Sequence, residues 1–573
     1  MAVTNAEIAA AFDRIADLLE VQQENPFRIR AYRNAARTVR GLAHSLSDMV
    51  QAGADLEALP GIGRDLAAKI REMVATGSLR KLRELEHAVP PELVELLQVP
   101  GLGPKRLAVL RDRLGIHGLA DLEAAARRGL VRNLPGFGVK SEQNLLRELA
   151  ELKRRTRRWL RAEVEETVEQ LLTYLKGIRG VRRVEPAGSY RRWKETVGDL
   201  DLLVAAAKGT DVTAAFVRHE AVERVISQGT TRAQVVLRSG LQVDLRVVPQ
   251  ASFGAAWHYF TGSKGHNIAV RTLGVQRGLK INEYGVFDRA GKRIAGRTEA
   301  EVYAQVGLPW IEPELREQRG ELEAAAEGRL PRLVTLKDIE GDLHCHTTAS
   351  DGQEDLLTMA RAARDLGHRY LAITEHSRHL GVARGLDGDR LLAHGEAIDR
   401  LNEKLKGIRL LKGVEVDILE DGTLDLPDEV LARLDVVVGA VHSAFGLSRK
   451  RQTERVIRAM DNPRLHILAH PTARLIGRRR ACDLDMERVM DAAVERGCFL
   501  ELNAQPQRLD LDDLHCRMAK ERGLKVAISS DAHSAGQLAY LRHGVGQARR
   551  GWLEKGDVLN TLPLDGLLDA LDR

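Results

Sequence analysis

The sequence predicts a multidomain α/β protein whose secondary structure changes twice along the chain. Up to about residue 150, apolar residues recur at helical spacing, which predicts an all-α region. From about residue 181, short runs of alternating apolar residues predict an α+β region. After about residue 340, apolar strands alternate with helical segments, a rhythm typical of β/α units around a parallel sheet or barrel. The chain has 573 residues, enough for about four domains.

Composition and charge exclude several classes of protein. Hydrophobic residues make up 44% of the chain and charged residues 29%, so a sizeable core can form and disorder is excluded as the main state. No apolar run reaches the length of a membrane span and no secretory signal is visible, so we expect no membrane partner. The four cysteines include no CxxC pair, which excludes a disulfide scaffold and favours a reducing cytoplasm. The net charge of +6 is compatible with a nucleic-acid partner.

A proline-glycine motif, PGxG, recurs three times in the helical region, each time just before an amphipathic helix. Its glycines are Gly61 and Gly63, Gly101 and Gly103, and Gly136 and Gly138. Glycine permits a tight turn, and the helix that follows presents free N–H groups and its positive dipole end to a phosphate. The motif is typical of a helix-hairpin-helix that holds the DNA backbone without reading its sequence. One copy would indicate a plain turn between packed helices, whereas three copies favour DNA binding.

Two basic segments occur in the same region. Arginines are dense between residues 28 and 40, and Arg30, Arg33 and Arg37 share one face of a predicted helix. That face is either solvated or, next to a glycine hairpin, a phosphate-binding surface, and we favour the second interpretation. Residues 153–158 form another basic run, which is either an interdomain linker or a contact for DNA or a triphosphate.

Paired aspartates mark the α+β region. Asp199 and Asp201 lie two residues apart in a predicted strand and share a face, and Asp244 can lie beside them on a neighbouring strand. Three converging carboxylates repel unless cations neutralise them, and two divalent ions would also activate an oxygen nucleophile for phosphoryl transfer. Mg²⁺ suits such a ligand set, and Ser189 and Arg192 could hold the outgoing phosphates. The alternative is a set of ordinary surface aspartates.

These motifs resemble the family X DNA polymerases, the DNA polymerase beta-like enzymes. The order GSYRR, GDLD, VDLRVV, YFTGS and INEY matches that family over roughly residues 1–315. The resemblance implies fingers, palm and thumb behind an N-terminal DNA-binding domain, with Mg²⁺ or Mn²⁺ at the polymerase site. It assigns the metal to Asp199, Asp201 and Asp244. It assigns nucleotide contacts to Ser189, Arg192, Gly198, Tyr259, Phe260, Gly262 and Asn267, and a DNA contact near the nascent base pair to Arg271.

The N-terminal domain of that family can carry a deoxyribose-phosphate lyase that uses a lysine Schiff base. Lys69 matches the nucleophile, Tyr32 a tyrosine beside it, and Lys81 another basic residue of the pocket. Asp65 stands where a lysine is expected, and Phe27 where a histidine is expected. A neighbouring carboxylate favours the ammonium form, whereas a nucleophile must be neutral. We therefore prefer Lys69 as a simple phosphate contact.

The last third of the chain is rich in histidine and carboxylate residues at the ends of its apolar strands. Nine candidates occur there: His344, His346, Asp351, His376, Glu415, His442, His470, Asp531 and His533. Functional residues of β/α barrels cluster at such strand ends, and nine ligands are enough for two or three ions of Zn²⁺, Mn²⁺ or Fe²⁺. A metal-bound hydroxide that attacks a phosphate ester is the natural chemistry. A single histidine in the core next to one strand would be ordinary. Residues of metal-ligand type at the ends of six strands indicate a metal site.

This region is similar to the PHP (polymerase and histidinol phosphatase) domains over about residues 339–573. The order HxH, EH, GxE, VHS, AHP and DAH matches, which implies a distorted (β/α)7 barrel whose trinuclear metal site is held by the nine residues named above. Two positions depart from the pattern: Asp351 lies where ligand identity varies, and Glu375 replaces the usual aspartate before the histidine.

Together the two resemblances predict a DNA-repair polymerase that fills short gaps from dNTPs. They assign the barrel a 3′–5′ exonuclease activity, with a 3′-phosphatase or abasic-site endonuclease as further activities. We expect gapped or primer-template DNA as substrate, a monomer, and a cytoplasmic, nucleoid-associated location. The alternatives are a small-molecule phosphoesterase with a non-functional polymerase part, and a non-catalytic DNA scaffold. The predicted domains are 1–85 (helix-hairpin-helix, lyase-like), 86–155 (fingers), 156–250 (palm), 251–315 (thumb), 316–338 (linker) and 339–573 (PHP).

Overall fold

The computed structural model of the chain divides into two compact units, Met1–Arg158 and Trp159–Arg573. It describes all residues except 1, 2, 4, 23, 41, 43–45, 89–95, 97, 98, 100, 101, 103, 117, 156, 157, 208 and 573. Gly101 and Gly103 of the second glycine motif therefore lie outside the described residues. In the described part of the chain, every helix is too short or too polar to cross a membrane.

The first unit is all-α. Its helices are α1 (Asn5–Val21), α2 (Pro26–Arg40), α3 (Leu46–Gln51), α4 (Arg64–Thr76), α5 (Arg80–Ala88), α6 (Pro104–Leu114), α7 (Leu119–Arg127) and α8 (Val139–Arg155). Apolar residues of α1 at helical spacing, such as Ile8, Phe12 and Ile15, are fully buried. Buried residues from Val3 to Leu149 form one connected core, so the predicted domains 1–85 and 86–155 share it.

The first and third glycine motifs have the same geometry. Gly61 and Gly136 adopt left-handed φ values of 76° and 80°, which L side chains rarely adopt. The residues after them, Ile62 and Phe137, donate their N–H groups back across the turn at 3.0 Å. Gly63 then caps α4, and its carbonyl accepts the first helical hydrogen bond at 2.9 Å. Both motifs therefore direct a helix N-terminus outward from a glycine turn.

The second unit begins with an α+β segment. Its elements are β1 (Trp159–Leu160), α9 (Arg161–Lys176), β2 (Val181–Pro186), α10 (Gly188–Arg191), β3 (Thr196–Val197), β4 (Asp199–Ala206), α11 (Gly209–Phe216), β5 (Val222–Gln228), β6 (Arg232–Leu237) and β7 (Gln242–Val248). Five strands form one sheet in the order β2-β4-β7-β6-β5. β4 and β7 run parallel, while the other pairs are antiparallel. The parallel pair is the one that carries the predicted metal aspartates.

The predicted thumb and linker follow. Their elements are α12 (Phe253–Thr261), α13 (Lys264–Gln276), β8 (Lys280–Asn282), β9 (Gly285–Phe287), β10 (Arg293–Ala295), α14 (Glu299–Gln305) and α15 (Glu321–Ala326). Residues 316–338 are not an exposed tether, because Ala324, Ala325 and Leu333 are buried in the thumb core. Trp552 from the end of the chain joins that core, so this segment is packed between thumb and barrel.

The C-terminal part is a seven-stranded parallel barrel. Its elements are β11 (Gly341–Cys345), α16 (Leu356–Asp365), β12 (Tyr370–His376), α17 (Gly388–Asn402), β13 (Arg409–Asp417), α18 (Asp428–Leu431), β14 (Val436–Ala440), α19 (Arg449–Met460), β15 (Ile467–Leu468), α20 (Met486–Arg496), β16 (Phe499–Asn503), α21 (Asp513–Glu521), β17 (Val526–Ser529), α22 (Leu541–Arg550) and α23 (Leu564–Leu571). The strands follow chain order from β11 to β17, as expected for β/α units.

The side chain of Asn560 closes the seam between the first and last strands of the barrel. Its Nδ2 donates to the carbonyls of Gly341 in β11 and Ile528 in β17, at 2.7 and 2.8 Å, and its Oδ1 accepts from the Ile528 N–H at 3.0 Å. At the carboxyl ends of the same strands, the His346 N–H donates to the Ala532 carbonyl at 2.9 Å. The barrel is therefore nearly closed at the end where the candidate ligands lie.

Candidate active sites in the palm and the barrel

The three palm aspartates converge at the start of β4 and β7. Asp201 of β4 lies directly beside Asp244 of β7 in the parallel register. Asp199 lies two residues earlier in β4, on the same face of the sheet, where it pairs with Gln242. Asp199 is exposed, whereas burial and the charges of Asp199 and Asp244 raise the pKa of Asp201 to about 7. Such a carboxylate is easily ionised only when a cation compensates the repulsion. The set therefore fits divalent metal ions, with carboxylate oxygens as ligands.

The loop from Gly188 to Arg192 contacts this site. Gly188 has a φ of 60°, and a Cβ there would lie 2.0 Å from Asp201 Oδ2, so only glycine fits so close to the carboxylate. Ser189 follows in the short helix α10, and Gly198 directly precedes Asp199. Arg192 Nε donates to Glu317 Oε1 at 3.0 Å, and its Nη1 donates to the Thr261 carbonyl. Gly188 therefore contacts Asp201 directly and the charge of Arg192 acts on it, while Ser189 follows Gly188 in the same loop.

The YFTGS motif lies at the junction of α12 and α13. Gly262 has a φ of 72°, which L side chains rarely adopt, and a Cβ there would lie 3.2 Å from Arg192 Nη1. Tyr259 and Phe260 pack edge to face with their centres 5.2 Å apart. Asn267 Nδ2 donates to the Tyr259 carbonyl at 2.6 Å and so holds the end of α12 against α13. Arg271, on α13, is exposed.

The N-terminal candidates form a separate group. Lys69 Nζ lies 2.5 Å from Asp65 Oδ1 and 6.0 Å from the centre of the Tyr32 ring. Asp65, which stands where the family has a lysine, therefore forms an ion pair with Lys69. Lys81 Nζ is 3.7 Å from Glu84 Oε2.

The predicted phosphate-binding face of α2 differs from the structure at Arg33. Its guanidinium forms ion pairs with Asp17 and Glu20 of α1, so its charge is already compensated within the protein. Arg40 forms an ion pair with Asp13 in the same way.

The barrel brings all nine candidate ligands together. Glu415 lies at the centre: its carboxylate oxygens are 2.7 Å from His376 Nδ1, 3.2 Å from His442 Nε2 and 3.0 Å from His470 Nε2. Among the described residues, three groups of candidate ligands have all their ligand atoms within 4.8 Å of one another. They are His346, Asp351, His376 and His533; His344, His346 and Asp531; and His376, Glu415 and His442. Shared members link the groups into one cluster large enough for three ions.

Unsatisfied buried nitrogens indicate that this cluster fits metal ions. Both ring nitrogens of His346 and Nε2 of His344 have no hydrogen-bond partner among the described residues, although both side chains are fully buried. The two Nε2 atoms point toward carboxylate oxygens of Glu415 and Asp531 that lie 3.3–3.7 Å away. Imidazole nitrogens and carboxylate oxygens at this spacing surround a point where a transition-metal ion would fit as their shared partner.

Electrostatics and backbone strain also mark the cluster. Against the effect of burial, Glu415 and Asp351 raise the pKa of His376 to about 10, and Glu415 raises the pKa of His442 to about 9. His470 and Asp531 have left-handed φ values of 26° and 51°, which are unfavourable for residues other than glycine. Strained backbone of this kind persists where the surrounding structure holds functional side chains in place.

Sequence reasoning missed the carboxylates that orient these ligands. Glu501 Oε1 lies 2.7 Å from His344 Nδ1, and Glu501 Oε2 accepts from the His470 N–H at 2.7 Å. Asp417 lies 3.1 Å from His442 Nδ1. Such contacts fix the ring orientation of a metal ligand. Period-two spacing after Glu415 could have identified Asp417, whereas Glu501 occupies an ordinary-looking apolar strand.

Two further residues border the cluster. Arg508 Nε lies 3.7 Å from Asp531 Oδ2, and its buried Nη1 has no hydrogen-bond partner among the described residues. Glu375 accepts from the Thr347 N–H at 3.0 Å and from the Ser350 hydroxyl, and so braces the loop that carries Asp351. Cys345 points away from the ligands, toward the Ala372 carbonyl, as expected from strand alternation.

Family models match successive parts of the chain. They are a helix-hairpin-helix domain (residues 3–79), a SAM-like helix-hairpin-helix tandem (93–151), a DNA polymerase beta palm (158–258), a DNA polymerase beta thumb (256–317) and a PHP domain (342–505). These matches confirm the predicted fold class, including the PHP barrel.

Curated proteins align with either the whole chain or the barrel. The DNA polymerase/3′-5′ exonuclease PolX of Bacillus subtilis is 39% identical over 577 residues, which cover 99% of each chain. Probable phosphatases of Thermoanaerobacter pseudethanolicus and Syntrophotalea carbinolica are 32% and 29% identical, over 38% and 41% of this chain and 89% and 97% of their own lengths. The whole-length match and the two sites together lead to one conclusion. The chain belongs to the bacterial, PolX-like family X DNA polymerases that carry a C-terminal PHP domain.

Proposed function

We propose that this protein is a repair polymerase that fills short gaps in DNA from dNTPs and trims 3′ ends with its barrel. The observation that carries the proposal is the presence of two complete and chemically different sites in one chain. The palm sheet holds a carboxylate triad beside a glycine-containing loop. The barrel holds eight candidate ligands in three linked groups, and His470 joins them through its 3.0 Å contact with Glu415. The relative that matches the whole chain is a DNA polymerase and 3′-5′ exonuclease by its name.

In the palm, Asp199, Asp201 and Asp244 would hold Mg²⁺ or Mn²⁺. The bound ions supply charge that stabilises the transferring phosphate and activates the primer 3′ oxygen. Ser189 and Arg192 bind the triphosphate of the incoming nucleotide, and Gly198 lets it approach the aspartates. Tyr259, Phe260 and Gly262 pack against its sugar, while Asn267 and Arg271 contact the nascent base pair and the template.

In the barrel, the nine-residue cluster would hold two or three ions of Zn²⁺, Mn²⁺ or Fe²⁺. These ions supply Lewis acidity and a hydroxide at neutral pH. Glu501 and Asp417 orient the imidazoles, and the partly unsatisfied guanidinium of Arg508 binds the scissile phosphate. The same chemistry would serve a 3′-phosphatase or an abasic-site endonuclease. A small-molecule phosphoesterase is the second candidate for the barrel alone, since its relatives include probable phosphatases.

The first unit would hold gapped or primer-template DNA by its backbone through Gly61, Gly63 and the second motif at Gly101 and Gly103. Tyr32, Lys69 and Lys81 then contact a 5′-phosphate, and the Lys69–Asp65 pair favours this role of Lys69 over a lyase nucleophile. We propose a monomer that acts on the nucleoid in the cytoplasm.

The test is an assay of the purified protein on a 5′-labelled duplex with a one-nucleotide gap, with Mn²⁺ and with or without dNTPs. We expect extension by one nucleotide with dNTPs and stepwise shortening of the primer without them. Shortening without extension would favour the phosphoesterase alternative, and neither activity would favour a DNA scaffold. The full-length protein, assayed on labelled 3′-ended DNA and on small phosphate esters, separates a DNA nuclease from a small-molecule enzyme.

The glycine turns offer a separate test of DNA binding. Gly63 has an ordinary φ of −87°, and a Cβ added there would meet nothing within 4 Å, so Gly63→Ala leaves the fold undisturbed. It would nevertheless crowd a phosphate at the N-terminus of α4, and we expect DNA affinity to fall several-fold. Filter binding or fluorescence anisotropy over a range of salt concentrations measures this effect. Gly556→Ala in the barrel is the control, because Gly556 has equally open surroundings and lies outside the hairpin region. Equal affinity of the two variants would contradict a role for this hairpin.

A further inference from the structure

The palm loop that carries Ser189 and Arg192 is packed on the barrel. Trp193 follows Arg192, and a Cβ added to Gly546 of α22 would lie 2.3 Å from its indole ring. The ring of His543, one turn earlier in α22, lies 6.4 Å from the same indole. Glu195, at the end of the loop, accepts from Arg474 Nη2 at 2.7 Å. The surface of the barrel therefore contributes to the position of the predicted triphosphate loop.

Arg550 makes the most direct of these contacts. It is the last residue of α22, and its side chain is only 2% exposed. Its Nη1 donates to the Arg192 carbonyl at 2.7 Å and to Glu317 Oε1 at 3.0 Å. Its Nη2 donates to Asp513 Oδ2 at 2.5 Å. One buried guanidinium thus joins the palm loop, the segment after the thumb and the barrel.

Glu317 is the link between Arg550 and the nucleotide site. The same Oε1 that accepts from Arg550 also accepts from Arg192 Nε at 3.0 Å, and the Glu317 side chain is 12% exposed. Burial opposes ionisation, but Arg550 and Arg192 hold the pKa of Glu317 well below its usual range, so the carboxylate is charged. Without Arg550, that charge would be compensated by Lys194 and by Arg192, the guanidinium that must also bind a triphosphate. A carboxylate in this position would compete with the triphosphate and repel it.

We propose that Arg550 of the barrel is a positioning residue of the polymerase site, which neutralises Glu317 and fixes the Arg192 main chain so that Arg192 is available to the incoming nucleotide. The proposal rests on the proposed polymerase function. It makes nucleotide affinity depend on a barrel residue that touches neither the DNA, nor the nucleotide, nor any of the nine barrel ligands. The expected signature is a change in KM for the dNTP, with the barrel nuclease unaffected.

The experiment measures gap filling by the full-length protein as a function of dNTP concentration. Arg550→Met replaces the guanidinium by an unbranched apolar side chain, and we expect KM for the dNTP to rise at least about tenfold, with a much smaller change in kcat. Arg549→Met is the matched control. Arg549 lies on the same helix and pairs with Glu314 and Glu312 but makes no contact with Arg192, so its loss should leave KM near that of the unaltered protein. Release of mononucleotides from labelled 3′ ends, without dNTPs, reports whether the barrel is intact.

A second substitution distinguishes positioning from a general packing role. Glu317→Gln keeps a hydrogen-bond acceptor for Arg192 but removes the charge, so KM should be unchanged or lower in the single variant. Added to Arg550→Met, it should restore most of the lost nucleotide affinity, which a merely structural defect would not allow. The KM of Arg550→Lys should lie between that of the unaltered protein and that of Arg550→Met, because lysine keeps the positive charge.

The outcomes are distinct. Equal KM values for Arg550→Met and Arg549→Met, or a double variant no better than Arg550→Met, would overturn the inference while the polymerase assignment stands. If Arg550→Met does not fold, a rise in KM for Glu317→Gln would overturn it equally. No extension by the unaltered protein would overturn the proposed function and this inference with it.

Discussion

The proposed palm and barrel sites would bind divalent cations with opposite kinds of ligand set. The palm uses carboxylates alone, at the edge of a sheet, with Asp199 exposed and Asp201 buried beside it. The barrel uses six imidazoles and three carboxylates, and most of them are buried and within contact of one another. Among the described residues, groups of three or more ligand atoms within 4.8 Å occur in the barrel and not in the palm.

This difference reflects what completes each site. Nucleotide phosphates are themselves oxygen ligands for Mg²⁺, so the palm needs only to hold repelling carboxylates close until substrate arrives. The barrel has enough ligands of its own to retain ions between turnovers, and its outer contacts from Glu501 and Asp417 fix the imidazoles in advance. In the proposed function, the substrates would therefore complete the palm site, whereas folding alone brings the barrel candidates together.

The largest expected effect is in the palm. Asp201→Asn removes a central metal ligand with little change in shape, and we expect gap filling to fall by about a thousandfold or more, with the nuclease retained. Because the folded-state pKa of Asp201 is raised to about 7, its protonated form favours folding and this contribution is lost as pH rises from about 4 through 7. The metal-free variant should accordingly melt at a higher temperature than the unaltered protein at pH 8. Asp211→Asn, at an exposed position of α11, is the control, and near-normal extension by Asp201→Asn would contradict the metal assignment.

The reciprocal change is in the barrel. His344→Ala removes a fully buried ligand candidate between Glu501 and Glu415, and we expect the nuclease to be lost and the content of bound metal to fall. Gap filling should stay within a few-fold of normal, since the palm ligands are untouched. The measurement is degradation of labelled 3′-ended DNA with Mn²⁺ and no dNTPs, together with metal analysis of the purified protein. His379→Ala, an exposed barrel histidine outside the cluster, should retain both activities. A nuclease that survives His344→Ala but not Asp201→Asn would place the activity in the palm.

Sequence reasoning anticipated much of these sites because their spacing follows strand geometry. The GDLD spacing predicted that Asp199 and Asp201 share a face, and the register with Asp244 places the third carboxylate beside them. The alternation His344-Cys345-His346 likewise places two imidazoles on one side of β11 and the Cys345 thiol on the other.

Tertiary packing decided the features that the sequence did not reveal. Arg33 was predicted to lie on a phosphate-binding face with Arg30 and Arg37, but it pairs with acidic residues of α1, and no pattern within α2 contains that information. The polar segment 316–338 looked like a linker, yet its small residues Ala324 and Ala325 fit a core that includes Trp552, more than 220 positions away. Glu501 escaped notice because a single carboxylate in an apolar strand has no local signature.

A smaller effect is expected for the carboxylate behind His344. Glu501→Gln keeps the shape of the side chain but weakens the contact that orients His344 Nδ1, and we expect metal affinity and nuclease activity to fall about ten- to a hundredfold. Excess metal should restore most of the activity, which distinguishes an orienting role from a folding defect. Titration of nuclease activity with Mn²⁺ measures the shift. Glu495→Gln, whose side chain is 74% exposed on α20, is the control, and identical titration curves would rule out this role for Glu501.

The smallest effect concerns a barrel histidine outside the metal cluster. His368, in the turn between α16 and β12, is 6% exposed, and burial lowers its pKa to about 4. The unfolded chain therefore binds a proton at this residue between about pH 6.5 and pH 4 that the folded protein does not bind, so the free energy of unfolding decreases as pH falls through that range. The sign is opposite to that of His376 and His442, whose raised pKa values favour the folded, metal-free protein at low pH.

His368→Leu removes this titration. Relative to the unaltered protein, its free energy of unfolding should gain on the order of 1–2 kcal/mol between pH 7 and pH 5. Thermal melts of both proteins in chelator at the two pH values test this, with His379→Leu as a control whose imidazole stays in water when the chain folds. A difference in melting temperature that does not change with pH would show that His368 does not titrate as its burial predicts.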